Sequence, residues 1–468
     1  MTRRGHVGAG FGDGDRGSGF GDGDRGSGFG DGDRGGGFSD GDRGVGFRHR
    51  SAYVRPVQGT PMRNVDAAGL GIGDAHPPRI MGVLNVSRES PYEPSVFDDP
   101  GEAAGYVDRE LIDEGADIVD VGLESANKRL DVLSAAEELD RLDTAVEAIE
   151  SVSGDAVFSI ETRYHEVAAA ALDRGFDMVN DICGFADPEM PRVCAERDVA
   201  VAKMASPPDL SRPGAVEDVD DIYDALARNG FTDKTILDPA FGGWSEGKTL
   251  EDDRETFRRL REFRGYGRPL LVSINRKNFL RDIAGRSTEA ALPVSLAATS
   301  MAVERGAHVI RTHDVAETRD AALVGAAFKR RRHRDEGDVA VEELDVTTPE
   351  EVARHVERLG GDRVAAASGV VRAFELSGVP PGALAGLDDA AAAAGATLVV
   401  GDSAGAADPP TDADGPLADT TGTPEAGASV LLLGTPAALG LLAERATGPD
   451  ELVAALGRVA AAAGDPRR

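Results

Sequence analysis

The chain has only two cysteines in 468 residues, Cys183 and Cys194. Two thiols cannot build a disulfide scaffold or a cysteine-based zinc site. Both fall in apolar-patterned segments, where a free thiol is expected to be buried and inert. Lysine is almost as scarce: 6 of the 51 basic residues, which leaves 45 arginines. Against these stand 82 Asp and Glu, for a net charge of −31. A surface of that sign repels phosphate backbones, so nucleic acid is not an expected partner. Excess acid with so little lysine points to a halophilic protein, soluble where salt screens its charges. No apolar run approaches the roughly 18 residues of a membrane span. The N-terminus has no apolar signal core either, so no membrane partner is expected and a cytoplasmic location is the default.

What is present divides the chain into three. Residues 1–61 hold 20 of the 59 glycines and a nonapeptide repeat. It reads GFGDGDRGS from Gly10 and Gly19, GFGDGDRGG from Gly28 and GFSDGDRGV from Gly37. One Phe per repeat is too little apolar surface to offset the backbone entropy that glycine loses on ordering, so disorder is expected. An alternative is that the segment is not part of the native protein and that Met62 starts it; a chain beginning at Met62 is then expected to fold and work like the whole. Residues 62–330 change texture, and 338–468 form a third unit beyond the charged joint KRRRHRDEG at 329–337.

In the middle unit short apolar runs alternate with amphipathic segments. The runs are IMGVLNV at 80–86, DIVDVG at 117–122, AVFSIET at 156–162, DMVNDI at 177–182, VAVAKM at 199–204, TILD at 235–238, PLLVSI at 269–274 and HVIRTHD at 308–314. Helical patterns near 102–114, 134–151, 166–175 and 289–306 lie between them. Eight such alternations over about 250 residues predict an α/β fold of the (β/α)8 TIM-barrel type. A doubly wound sheet has fewer repeats and a glycine-rich phosphate loop, and no G-x-G-x-x-G follows the first run. The third unit reads as a small α/β domain without a chemical motif. VARHVERLG is a predicted helix there, DRVAAAS, ATLVVG and SVLLLG are predicted strands, AALGLLAERA is a second helix, and the Pro/Asp/Gly/Thr-rich stretch 408–427 interrupts them.

Barrel chemistry sits at the C-terminal ends of the strands. Polar residues recur there: Asn85, Glu124, Glu161, Asn180 and Asp181, Lys203, Asp238, Lys277, then Arg311, His313 and Asp314. One of these is an ordinary helix cap; the whole series on one rim predicts a binding site, the bland alternative being a solvated rim. Asn85, Lys277, Arg311 and His313 offer a neutral oxygen ligand and several donors, which suits a phosphate or metal–phosphate group. Arg311 and His313 are two apart and should point the same way. As a residue of the barrel mouth, Arg311 is expected to be replaceable by Ala without loss of the fold. Glu161, Asn180 and Asp238 suit a nitrogen-rich heterocycle.

The ordered segments IMGVLNVSRES at 80–90, GADIVDVGLES at 115–125, SIET at 159–162, VNDICGFADPEM at 179–190, ILDPAFG at 236–242, SINRKNF at 273–279 and RTHDVAET at 311–318 resemble the successive signatures of the dihydropteroate synthase family, of the pterin-binding barrel superfamily. The resemblance covers residues 79–328. It implies condensation of a hydroxymethyl-dihydropterin diphosphate with p-aminobenzoate or a related arylamine, release of pyrophosphate, Mg2+ as cofactor, and a homodimer. By the same resemblance Asn85 contacts the metal-bound diphosphate and Arg311 and His313 hold that anion. Asn180, Asp238 and Lys277 bind the pterin, with Glu161 where the family usually has Asp; Arg311, His313 and Lys277 are the expected catalytic residues. The chain departs from the family at Ser125-Ala126-Asn127-Lys128-Arg129 in place of S-T-R-P, at SRESPYEPS in the first loop, at Asn275, and around Trp244. A pterin-dependent methyltransferase and a non-catalytic pterin-binding barrel are the alternatives.

The charge imbalance yields a direct test. Self-repulsion between acidic groups reaches about 30 Å at 0.01 M salt and about 3 Å at 1 M. The melting temperature should therefore climb steeply with KCl; a melting point indifferent to salt would remove the halophilic expectation.

Overall fold

The computed structural model describes residues 64–86, 95–124, 132–210, 216, 218–242, 247–329, 343–400 and 428–464. The glycine-rich repeat, the loop at 125–129, Trp244 and the stretch 408–427 lie outside the described residues, as does most of the charged joint.

The description opens with two short antiparallel strands, β1 (Val65–Ala67) and β2 (Leu70–Ile72), which the sequence reading did not contain. Left-handed Ala68 and Gly69 make the turn between them. The eight predicted apolar runs follow as parallel strands: β3 (Arg79–Asn85), β4 (Ile118–Gly122), β5 (Val157–Thr162), β6 (Met178–Asp181), β7 (Ala200–Met204), β8 (Thr235–Asp238), β9 (Leu271–Val272) and β10 (Val309–Thr312). Their order is β8-β7-β6-β5-β4-β3-β10-β9. A bridge between Leu237 and Leu270, with the Leu237 amide donating to Pro269 O at 2.9 Å, joins the two ends and closes the barrel.

Strand alternation then divides the residues between two cores. Met81, Ile118, Val157, Met178, Ala200, Ala202, Ile236, Leu271 and Val309 share one cluster with Val65, Ala67 and Ile72. This is the barrel interior, and the β1–β2 hairpin seals its N-terminal end. Residues of the opposite parity, such as Ile80, Val119, Val179, Val201 and Ile310, pack outward against the helices. Those helices are α1 (Pro100–Tyr106, continued by a π turn over Val107–Ile112), α2 (Ala135–Ser151), α3 (His165–Leu172), α4 (Met190–Glu196), α5 (Val219–Ala227), α6 (Leu250–Arg258), α7 (Asn278–Ala284), α8 (Leu292–Glu304) and α9 (Val315–Ala327). Start signals explain where several begin. Ser134 with Glu137 and Thr249 with Asp252 form reciprocal capping boxes, and Asp99 and Asp218 accept first-turn amides.

Beyond the barrel come α10 (Pro349–Arg358), β11 (Arg372–Val379), α11 (Leu384–Ala394), β12 (Thr397–Val400), β13 (Ala428–Gly434), α12 (Pro436–Arg445) and α13 (Asp450–Ala463). The three strands form an antiparallel sheet of order β11-β13-β12 around a separate core of Leu376, Leu387, Val430, Leu432, Leu439, Leu442 and Leu456. One expected strand is corrected here. DRVAAAS is a 3-10 turn over Arg363–Ser368, because Asp362 accepts the Val364 amide and the alanine run has no alternating face to bury. Segment α10 docks on the barrel flank through charge: Arg354 lies 4.0 Å from the Tyr223 ring centre and pairs with Glu262 and Asp220.

Asp74, just after β2, is 2 % exposed and gathers three donor side chains, two of them cationic. Arg264 Nη2 donates to it at 2.6 Å, Lys329 Nζ at 2.7 Å and His308 Nε2 at 3.1 Å. The Leu270 amide donates to His308 Nδ1, which fixes the proton on Nε2, and burial pushes the imidazole down to about 4. Burial opposes ionisation of Asp74, but His308 and Arg264 hold its carboxyl far below the usual carboxylate range. Removing one partner of a buried ion cluster costs about 3–5 kcal/mol. Asp74→Ala should lower the free energy of unfolding in urea by that amount. A loss of only a few tenths would show that the apolar plug closes the barrel unaided.

Candidate functional site

At the other end of the barrel the interior turns polar. In parallel register Asn85 sits beside Gly122, Gly122 beside Glu161, and Glu161 beside Asn180. One row of the sheet thus carries an amide, a gap, a carboxylate and a second amide. A Cβ on Gly122 would lie 3.0 Å from Asn85 Oδ1 and 3.8 Å from Glu161 Oε1, so a side chain there would crowd the Asn85 amide. Asn85 Nδ2 donates to the buried Ser95 Oγ at 2.9 Å, which turns the amide oxygen toward that gap.

Arg311 enters from β10. Its Nε donates to Asp120 Oδ2 at 2.8 Å and its Nη2 to Glu161 Oε2 at 2.6 Å. Asp120 Oδ2 also accepts Asn180 Nδ2 at 2.9 Å. Burial works against the guanidinium, yet Glu161 and Asp120 keep it charged, and burial raises Glu161 despite Arg311. Asp238 ends β8, where burial pushes its carboxyl up to about 6 against the hydrogen bond from the Ala240 amide and the charges of Lys277 and Arg311. Lys277 precedes α7, and its side chain crosses Gly242 so closely that a Cβ there would stand 3.1 Å from Cδ and Nζ. Burial, then Arg311, lowers the ammonium, while Asp238 and Asp253 support it. His313 has the inward parity of Arg311; burial and Arg311 push it down to about 3, so it is a neutral imidazole.

The structure therefore brings Asn85, Glu161, Asn180, Asp238, Lys277, Arg311 and His313 to one mouth. Four other rim residues do different work. Lys203 has the outward parity and donates to the Arg228 and Gly230 carbonyls behind α5. Asp181 also faces away, accepting the Cys183 and Phe185 amides at 2.8 and 2.7 Å. Glu124 pairs with buried Arg163 and accepts the Leu133 amide. Asp314 takes a two-pronged contact from Arg276 and a third hydrogen bond from Asn275, tying the β9–α7 loop to the end of β10.

Two residues had been passed over. Asp120 is 0 % exposed inside β4, and its signal was a single acid within an otherwise aliphatic strand. Lys248, 1 % exposed at its side chain, pairs with Asp253 at 3.0 Å and donates to Ala240 O. Asp120 also corrects the expectation that Arg311 is dispensable to the fold, since Arg311→Ala would strand a buried carboxylate.

Ala240 holds the β8 end of the site in an unfavourable conformation. At φ +60° it donates its amide to Asp238 Oδ1 at 2.8 Å and offers its carbonyl to Lys248. The left-handed region costs a non-glycine residue roughly 1–2 kcal/mol. Ala240→Gly should relieve part of that and raise the melting temperature with Asp238 in place; an unchanged or lower value would mean the backbone is not strained there.

The sequence profile described as pterin binding enzyme matches residues 81–313. A probable bifunctional folylpolyglutamate synthase/dihydropteroate synthase of Haloferax volcanii is 35 % identical over 276 residues, which is 56 % of this chain and 32 % of that protein. The chain thus spans about a third of the length of that relative. The dihydropteroate synthase of Clostridium beijerinckii is 32 % identical over 259 residues, 54 % of this chain and 94 % of its own length. Among solved structures, a Coxiella burnetii dihydropteroate synthase in complex with pteroic acid aligns with a TM-score of 0.49 and 28 % identity, covering 57 % of this chain and 98 % of that one. With nearly the whole length of a single-activity relative matched at that identity, the chain belongs to the dihydropteroate synthase family.

Proposed function

We propose that this chain condenses 6-hydroxymethyl-dihydropterin diphosphate with p-aminobenzoate or a related arylamine, releasing pyrophosphate. The observation that carries the reading is the division of the barrel mouth. Glu161, Asp238 and the Asn180 amide supply acceptors for a ring with amidine-like N–H edges, while Arg311 supplies fixed positive charge and Lys277 a further donor beside them. A methyl-transfer reading leaves that positive charge without an anion to hold.

The chemistry asks little of the protein beyond placement and electrostatics. The C–O bond to the diphosphate breaks, the electron pair leaves with the anion, the ring spreads the positive charge on carbon, and the amine forms the new C–N bond as it loses a proton. Asp238 and Glu161 hold the ring by its N–H groups, and Asn180 holds it through its amide oxygen. Arg311 and Lys277 face charge that grows as the bond breaks, in a water-poor site where fixed donors act most strongly. Neutral His313 can donate one hydrogen bond to the same anion.

The residues present fit a magnesium ion carried by the diphosphate. Mg2+ usually keeps its waters and takes few protein ligands besides substrate phosphates, and the Gly122 gap leaves room beside the single oxygen of Asn85. Asn85 would hold the ion, which when bound would neutralise charge on the leaving group. Exposed Met301, Leu323, Val324 and Phe328 on and beside α8 and α9 support a homodimer through that face.

The test is incubation of the whole chain in high salt with Mg2+, the pterin diphosphate and p-aminobenzoate, following pyrophosphate. Release that requires both substrates is expected. Release without the arylamine, or none at all, would overturn the reading. Ring affinity also has a predictable pH dependence. Asp238 must be ionised to accept N–H groups, so binding of 6-hydroxymethylpterin should weaken as pH falls through about 6. Asp238→Asn should weaken binding throughout and flatten that slope; a parent slope that persists in the variant would place the titrating group elsewhere.

A further inference from the structure

We propose that Asp120 is the positioning residue of this site, registering the ring-holding half and the anion-holding half to each other through one carboxylate oxygen. The proposal rests on the function proposed above and adds a residue that touches neither substrate.

The geometry is specific. Asp120 Oδ2 accepts Arg311 Nε at 2.8 Å and Asn180 Nδ2 at 2.9 Å, so residues of β10 and β6 meet on one atom supplied by β4. Asp120 is 0 % exposed, whereas the Arg311 side chain it holds is 18 % exposed and reaches the mouth. Its other oxygen, Oδ1, is buried with no hydrogen-bond partner. Nothing else about the carboxylate secures the barrel wall; both of its hydrogen bonds go to site residues.

Two consequences follow from elementary chemistry. An ionised carboxylate only accepts, so Asn180 must turn its NH2 group to Asp120 and leave its amide oxygen for a ligand. Asp120 thereby decides that Asn180 reads a donor edge. Arg311, in turn, has two carboxylates for one guanidinium. Glu161 is the exchangeable one: it stands in the mouth row beside Asn180, where a ring N–H would compete for it. When the ring claims Glu161, Asp120 remains as the fixed counter-ion, and the Nη groups turn to the anion about an Nε that does not move. Ring binding and anion binding are then coupled through Asp120.

Asp120→Asn tests this in the full chain. The amide keeps an oxygen for both donors, but the charge is gone and its NH2 lands where Oδ1 has no partner. By analogy with the residues that orient metal ligands, loss of such an orienting partner costs about 10–100-fold. The turnover number for pyrophosphate release should fall by about that factor, with KM for the arylamine unchanged and KM for the pterin diphosphate raised. Binding of inorganic pyrophosphate with Mg2+, by calorimetry, should weaken alongside binding of 6-hydroxymethylpterin, by fluorescence. A second variant guards against misfolding. Asn180→Ala should weaken pyrophosphate binding although Asn180 belongs to the ring side, because it frees Asp120 and so loosens Arg311. Pyrophosphate affinity unchanged in Asn180→Ala, or parental kinetics in Asp120→Asn, overturns the positioning role while leaving the synthase reading intact. If the parent releases no pyrophosphate, the synthase reading fails on its own, and the two binding measurements still decide whether Asp120 couples the halves.

Discussion

Closure of the sheet between β8 and β9 is the constraint from which the rest follows. Once the Leu237 amide reaches Pro269, every second residue of eight strands is committed to a single axis. Side chains there have no solvent to retreat to, so each layer must be either apolar and packed or polar and mutually satisfied. The lower layer is apolar and the hairpin completes it with Val65, Ala67 and Ile72. The upper layer is polar, and Asp120 stands where one gives way to the other.

That boundary explains why the mouth is built from opposed charges and not from donors alone. Asp120, Glu161 and Asp238 lie close to Arg311 and Lys277; burial raises Glu161 and Asp238 and lowers Lys277, whereas the neighbouring carboxylates raise Arg311 against its burial. Taking any one of them from water alone would cost several kcal/mol. Held together, they cost less, and the cations keep a field that an arriving anion feels without waiting for side chains to reorient. Arginine suits this task because its fork can hold two carboxylates at once with a proton-bearing nitrogen left over. A chain with 45 arginines and 6 lysines has spent one of those few lysines, Lys277, at the same mouth.

Much of this was legible in the sequence because strand parity is a local property. Asn85, Glu161, Asn180, Asp238, Arg311 and His313 could be placed from the ends of apolar runs, and the strands begin and end within two residues of those runs at most positions. Where sequence reasoning stopped, a non-local contact or a single step of parity decided the outcome. Lys203 and Asp181 occupy the same ends but the other face, and only the true first residue of each strand separates in from out. Asp120 was hidden in the reverse way, inside a strand whose other members are aliphatic, where its partners lie 60 and 191 positions away. The β1–β2 hairpin was missed because strands of three residues have too little pattern to stand above a loop. DRVAAAS looked extended by composition, but an Asp cap acting on the Val364 amide outweighs propensity over so short a stretch.

The same layering limits what the C-terminal unit can do. All the described residues of the mouth come from the strands and loops of the barrel, and α10 meets the barrel on its flank, at the 3-10 turn Leu260–Tyr266 and at α5. That contact is ionic and aromatic: Arg354 over Tyr223, with Glu262 and Asp220 as its counter-ions. Glu262 is 1 % exposed and also takes Arg259, so the joint is anchored on a buried carboxylate with the exposed Asp220 at its edge. Pairing on a buried carboxylate adds little net stability, because the cost of desolvation offsets the attraction. The barrel chemistry described above is complete without α10, and the sheet β11-β13-β12 carries its own apolar core. Among the described residues the two fold around separate interiors and meet at a charged and aromatic seam.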